Sequence, residues 1–282
     1  MGAALARRFA RSRKVIPFKR PDLDILRLET FRPTLDSLSF DSLVFTAGVT
    51  NVDYCEDHPD EAALSNTEAP RLLAEICQSR GARFIHVSTD YVFDGEQQGL
   101  RTEEDAAHPL SEYGRSKWNG EKAVLAVSPD FLVIRVSWLF GPDRPAFPDM
   151  ILRQSLERDQ VAAIADKWSC PTYSEDLAEW IEPMLTDPRY RGLLHLSNAG
   201  SASWQEFGQA VLDTAAAMGL PLKAHQVDSL SRIGFAAFKA VRPKYTAFDT
   251  SRFENLSGTK PRHWREALQA YLHHQYGNLA CP

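Results

Sequence analysis

The sequence predicts an α/β protein built on a doubly wound parallel sheet, with a smaller lobe formed by its carboxyl-terminal part. Three observations carry that expectation. Short runs that are apolar at nearly every position recur, such as Phe84-Ile85-His86-Val87 and Phe131-Leu132-Val133-Ile134, as strands buried on both faces require. Between them lie stretches with apolar residues at helical spacing. Strand and helix alternate, the order that gives a parallel sheet wrapped on both sides.

Taken in order, Gly2 to Phe9 opens a helix, with Leu5 and Phe9 one turn apart. Lys14 to Phe18 and Ser42 to Ala47 read as strands. Glu61 to Arg80 is a helix with a stripe through Ala62, Ala69, Leu72, Leu73 and Ile76. Arg83 to Val87 is a third strand, Ser111 to Val127 a helix and Phe131 to Ser137 a fourth strand. Ala146 to Arg158 is helical and Asp166 to Ser169 a polar loop. Thr172-Tyr173-Ser174-Glu175 has the form of a capping box and opens a helix to about Leu185. Leu193 to Ser197 is a strand returning to the sheet. Ser203 to Glu206 is a second capping box, and its helix stops near Gly219-Leu220-Pro221. A last helix spans Trp264 to Tyr271. The division expected is 1–145 for the sheet domain and 146–282 mainly for the second lobe, with 174–198 returning to the sheet.

In a sheet of this kind a dinucleotide sits on the first strand–turn–helix unit, through a glycine-rich turn. The helix is here, but the first strand and the glycine-rich turn are not. By the usual length of a strand plus turn, roughly a dozen residues are missing before Met1, with Gly2 as the last glycine of the turn; either the true start lies upstream or the chain is shortened, and the sequence leaves both open.

The 282 residues carry a net charge of -5, with 44% hydrophobic and 24% charged. That balance suits a globular protein and offers no basic face for nucleic acid. No run reaches the roughly 18 apolar residues of a membrane span; the longest, Phe131 to Phe140, contains Arg135. Ala3 to Arg13 has arginines but no apolar core, so no secretory signal is expected from it. Cys55, Cys77, Cys170 and Cys281 form no CxxC pair, which fits incidental thiols in a cytoplasmic setting. No histidine pair has metal spacing, so no metal is expected.

The chemistry concentrates in Ser88-Thr89-Asp90-Tyr91 and Tyr113-Gly114-Arg115-Ser116-Lys117. Thr89 ends a buried strand. Tyr113 and Lys117 are four apart and share a helix face. A cation beside a phenol favours the phenolate and eases release of the proton. A threonine hydroxyl facing the pair would hold the same substrate oxygen. The trio suits delivery of a proton to a carbonyl while a hydride arrives from elsewhere.

Ordered blocks extend that reading: Val87 to Gly95, Tyr113 to Lys117, Gly120-Glu121, Ile134 to Gly141, Ser169-Cys170-Pro171-Thr172, His195 to Asn198, Ser203 to Phe207, Arg242-Pro243 and Phe248-Asp249-Thr250. With them the chain resembles the extended short-chain dehydrogenases/reductases, and within these the dTDP-4-dehydrorhamnose reductases, from about Gly2 to Leu272. The resemblance implies a Rossmann-like fold and reduction, by NADPH or NADH, of the C4 keto group of a nucleotide-linked 4-keto-6-deoxy sugar. It implies that Tyr113 protonates the carbonyl oxygen, Thr89 bonds to it, and Lys117 lowers the phenol's pKa and holds the nicotinamide ribose. Asp24 and Ile25 would flank the adenine, and Ala47, Gly48 and Thr50 would approach the cofactor. Lys19 and Arg20 follow a strand, where basic residues suit the 2′-phosphate of NADPH. Val52, Asp90, Tyr91 and Trp138 would face the sugar. Arg242 and Lys244 are candidates for the diphosphate. The family's tendency to dimerise leaves a homodimer open. The competing reading is a non-catalytic binding protein on the same fold, resembling the regulatory subunit of methionine adenosyltransferase, because fold alone does not fix activity.

Overall fold

The computed structural model describes residues 1–235 and 237–279. Its central sheet holds four parallel strands in the order Ser42–Phe45, Arg83–Thr89, Leu132–Val136, Gly192–Leu196. The two middle strands run almost unbroken through the interior, which explains their apolar composition. Alternate side chains serve opposite faces. Ile85, Ile134 and Leu194 meet Leu5, Phe9, Leu177 and Ile181, from the helices Gly2–Phe9 and Ser174–Ile181. Phe84 and Val133 meet Leu73, Ile76 and Val124, from the helices Ala69–Arg80 and Glu112–Val127. Arg135 is the exception within its strand. Its guanidinium takes both oxygens of Glu121 at 2.9 and 2.7 Å, with each side chain 3% exposed. A buried charge is tolerable only when paired in this way.

The stretch Lys14 to Phe18 is not a strand. A strand persists through the ladder it shares with a neighbour. Ser42–Phe45 ends the sheet on this side among the described residues, and Lys14 to Phe18 does not pair with it. Ile16 and Phe18 stay 40% exposed.

The expected helix Glu61 to Arg80 forms as Pro59–Ala63, a π-helical turn Leu64–Glu68, and Ala69–Arg80. Thr172 does not cap a helix. Thr172–Tyr173 pairs with Leu139–Phe140, its hydroxyl donates to the Cys170 carbonyl, and the helix begins at Ser174 with no side-chain cap. The second capping box forms as read, with Ser203 and Glu206 exchanging bonds. Asp166 to Ser169 is not wholly a loop, since Trp168–Ser169 pairs antiparallel with Ala202–Ser203. The second lobe also contains a parallel pair that the sequence pattern did not suggest, Val161–Ile164 with Val227–Leu230. Phe147–Glu157, Trp204–Ala217 and Trp264–Tyr276 close over it around Ile151, Phe207, Val211, Trp264 and Tyr271. Cys55, Cys77 and Cys170 are buried thiols; Cys281 lies outside the described residues. Among the described residues no helix is long and apolar enough to cross a membrane, and no cluster of His, Cys, Asp and Glu suits a metal.

Candidate active site

Ser111 fixes the start of the Glu112–Val127 helix by accepting from the Gly114 amide at 3.2 Å. The helix then lies hard against the strand exits. A Cβ on Gly114 would stand 2.3 Å from the Tyr91 carbonyl oxygen, and one on Gly120 2.1 Å from that of Asn66. Only glycine permits that approach. It brings Tyr113, Lys117 and Thr89 together at the carboxyl end of the sheet, each buried, where ligands of open parallel sheets bind.

Burial holds the Tyr113 phenol above its ordinary pKa, and the adjacent Thr89 hydroxyl pulls against that. The expectation that Lys117 lowers this pKa is not met. The Lys117 ammonium is turned to the strand backbone, donating to the Val87 carbonyl at 2.5 Å, and it stands 3.5 Å from His86 Nε2. Burial pushes Lys117 down to about 8, with Glu121 opposing. A shared helix face places two Cβ atoms near each other; it does not decide where a long lysine ends.

Thr89 donates to Asp90 Oδ1 at 3.3 Å and accepts from the Tyr91 amide at 3.2 Å. Asp90 is buried, and its Oδ2 accepts from Ser137 at 3.1 Å and Thr246 at 2.6 Å. Its carboxylate is committed to three hydroxyls and orients Thr89 rather than standing open. Tyr91 meets Tyr113 edge to face, with centroids 5.6 Å apart.

Trp138 follows the Leu132–Val136 strand with a φ of 41°, the one non-glycine residue in that region among those described. A bulky residue held there is strained, and strain of this kind gathers at functional sites. Its indole packs on Phe147, Trp204 and Phe207 at centroid distances of 5.1, 5.7 and 4.8 Å. It forms a wall of a largely apolar cavity of about 960 Å³ that Thr89, Tyr113 and Lys117 do not line.

On the cofactor side, a Cβ on Gly2 would lie 2.9 Å from Thr46 Oγ1, so the first helix starts beside the exit of the Ser42–Phe45 strand. Its first turn has no side-chain cap. Ala47 and Thr50 are exposed, and Gly48 presses on Asn66. Lys19 is exposed, Arg20 stands 3.9 Å from Asp24, Asp24 caps its own turn through the Leu26 amide, and Ile25 packs at the rim of the core. The donor set fits the nicotinamide ribose of a dinucleotide: a phenol, an ammonium with a proton to spare, and a small-residue strand exit open to solvent. The uncapped amides after Met1 suit a phosphate.

Val52 packs beside Cys55 and Tyr113. Arg242 is not free for a phosphate here. It is buried and takes both oxygens of Asp53 at 2.8 and 2.6 Å. Asp53 also accepts from the Lys239 and Ala240 amides at 2.9 Å. Lys244 is half-buried, its ammonium 4.8 Å from the Tyr245 ring centroid.

Sequence reasoning passed over four residues. Asn66, on the π-helical turn, pins the Gly48-Val49 exit to the active helix. It accepts from the Val49 amide and donates to the Val49 carbonyl and to Ser116, at 3.1, 2.9 and 3.0 Å. A π turn inside a helix leaves no mark on apolar spacing, though such turns often sit at functional sites. Lys167, in what reads as a polar loop, is buried with its ammonium 2.8 Å from Ser169 Oγ and 5.0 Å from the Tyr91 ring centroid. Asp53 and His86 complete the set.

With this geometry in place, the comparisons decide the family. The profile described as "RmlD substrate binding domain" matches residues 1–276. The chain belongs to this family. It is 32% identical to the spore coat polysaccharide biosynthesis protein SpsK of Bacillus subtilis over 95% of this chain and 90% of that one. It is 30% identical to the dTDP-4-dehydrorhamnose reductase of Aggregatibacter actinomycetemcomitans over 91% of this chain and 88% of the relative. The crystal structure of dTDP-4-dehydrorhamnose reductase from Bacillus anthracis in complex with NADP superposes with a TM-score of 0.88. That pair is 28% identical and covers 97% of this chain and 94% of the other. The family membership and the parallel sheet agree with the extended short-chain reductase resemblance seen in the sequence.

Proposed function

We propose that this protein is an NADPH-dependent reductase of the C4 keto group of a nucleotide-linked 4-keto-6-deoxy sugar, with NADH as a second reductant, working in the cytoplasm. The observation that carries the reading is the burial of Thr89, Tyr113 and Lys117 in one place at the carboxyl end of the sheet, beside the open Ala47-Gly48 exit. The names of the relatives, dTDP-4-dehydrorhamnose reductases among them, support the substrate class.

The bound nicotinamide would supply the hydride that reaches C4. Tyr113 gives its phenolic proton to the carbonyl oxygen, so the keto group becomes a secondary alcohol. A phenol held above its ordinary pKa keeps its proton at neutral pH, and an alkoxide is a stronger base than a phenolate, so the transfer runs toward the sugar. The Thr89 hydroxyl turns its one proton from Asp90 to the same oxygen. Lys117 keeps a proton for the ribose hydroxyls. Trp138, fixed by its aromatic neighbours, covers the sugar ring, and Lys244 meets the diphosphate. These are general acid catalysis and positioning; the redox chemistry belongs to the cofactor.

The test is NADPH consumption, followed by its absorbance, with dTDP-4-dehydrorhamnose as substrate, and analysis of the sugar product. Turnover giving a 4-hydroxy sugar is expected. Binding of NADPH without turnover of any nucleotide-linked 4-keto sugar would sink the proposal.

A further inference from the structure

One buried group beside the active site is left unexplained by the reaction. His86 lies in the middle of the sheet and is fully buried. Its ring stacks near-parallel to Phe45 and Phe84, at 5.8 and 6.5 Å between centroids. The absence of a side chain at Gly120, whose Cβ would stand 3.4 Å from Nε2, leaves the ring its room. Nε2 is 3.5 Å from Lys117 Nζ, and Nδ1 has no hydrogen-bond partner.

We propose that His86 is a positioning residue for Lys117, its Nε2 lone pair holding one ammonium proton while the Val87 carbonyl holds a second, so that the third is aimed into the site. The argument is one of proton inventory. An ammonium has three N–H donors and no acceptor, and a neutral imidazole has one donor and one acceptor. A proton on Nε2 would point at the ammonium and repel it. The lone pair must therefore be on Nε2, and the proton on Nδ1, where nothing accepts it. A buried donor without a partner is destabilising, and a buried orphan of this kind calls for an explanation. Holding the lysine is one. Burial and the neighbouring Lys117 charge drive the His86 pKa well down, so the ring stays neutral and able to accept.

The sign of the effect follows. An acceptor on the ammonium favours its charged form. Removing it drops the Lys117 pKa further, and Lys117 then loses its proton at lower pH. The groups facing Lys117 are His86 and the Val87 carbonyl from the strand and Glu121 from its own helix; Glu121 is itself held by Arg135. The kinetic test rests on the reductase reading, and the spectroscopic test does not.

The first measurement is the ¹⁵N chemical shifts of the His86 ring in the unaltered protein. Protonated Nδ1 with bare Nε2 across neutral pH is expected, and a protonated Nε2 would overturn the proposal whatever the enzyme does. The second compares His86→Phe, which keeps a flat stacked ring and removes the lone pair, with His86→Gln, which offers an amide oxygen. Thermal melting of each checks the fold. In His86→Phe the alkaline limb of kcat is expected to move down by about one pH unit, with kcat down roughly tenfold and the KM of the nucleotide sugar little changed. His86→Gln should bring the limb back toward its original position. A folded His86→Phe with an unmoved limb, or two variants that shift it equally, would refute the positioning role. If the Phe variant does not fold, the ring shifts decide alone.

Discussion

At the residue scale, the proposed general acid is Tyr113. Replacing it with Phe removes the transferable proton and keeps the ring against Tyr91 and Cys55. A loss of at least about 100-fold in turnover is expected; wild-type turnover in Tyr113→Phe would move the role elsewhere. The pH dependence belongs to Lys117. Its pKa is lowered by burial to about 8, while Tyr113 is raised, so Lys117 is the first of the two to lose its proton as pH rises. Activity should be full below that value and fall through about pH 8, read from kcat against pH. A flat profile to pH 10 would mean that the ammonium is not needed. This scale was the most legible part of the site. Thr89, Tyr113 and Lys117 announce themselves by residue type and spacing. The relation between Tyr113 and Lys117 was not legible, because it depends on which acceptor the lysine finds, and that acceptor is 30 positions away in sequence.

At the element scale, the active helix works because two glycines let it touch the strand exits. Gly114→Ala and Gly120→Ala each drive a Cβ into a backbone oxygen, at 2.3 and 2.1 Å. Backbone cannot swing aside as a side chain can. Overpacking of this kind costs about 1–3 kcal/mol, against a helix propensity that favours alanine by about 1 kcal/mol. Both variants should therefore be less stable in urea, and a stabilised Gly120→Ala would show that the contact is soft. A second device at this scale is the clasp of Arg242 and the Lys239-Ala240 amides on Asp53, which ties the second lobe to the Val52–Asp57 helix. These bonds hold the Asp53 carboxyl down to about 2, Arg242 being the largest cause. A carboxyl lowered by folding adds stability that is present above its unfolded pKa of about 3.9 and lost as pH falls toward 2. The melting temperature of the wild type should drop across that window more steeply than that of Asp53→Asn; parallel curves would show the clasp to be energetically idle. The glycines were visible in the sequence as anomalies inside a helix. The clasp was not, since Asp53 and Arg242 are ordinary residues until folding brings them together. Arg242, expected at the diphosphate, is spoken for by Asp53.

At the scale of the whole molecule, a ligand that binds only the folded chain should stabilise it by mass action. NADPH at 100 times its Kd adds about 2.7 kcal/mol, or several degrees in melting temperature for a chain of this size. A single transition that moves upward with NADPH is expected. Two transitions, of which only one moves, would show that the sheet domain and the second lobe unfold separately.

What the sequence determined by itself was the class of fold, the position of the major helices, the two middle strands and the three residues of the candidate site. These rest on local signals: apolar runs, helical spacing, a capping serine, and residue types that chemistry restricts. Tertiary structure decided the rest. Lys14 to Phe18 has strand-like composition but forms no strand, because a ladder needs a neighbour. Thr172 could cap a helix but bonds within a strand pair. Lys167 reads as loop and is buried beneath Tyr91, and His86 reads as filler in an apolar strand and reaches the active lysine. In each case the outcome depends on which distant group supplies the partner for a hydrogen bond or a charge, and that information is carried by the packed fold and not by any window of the chain.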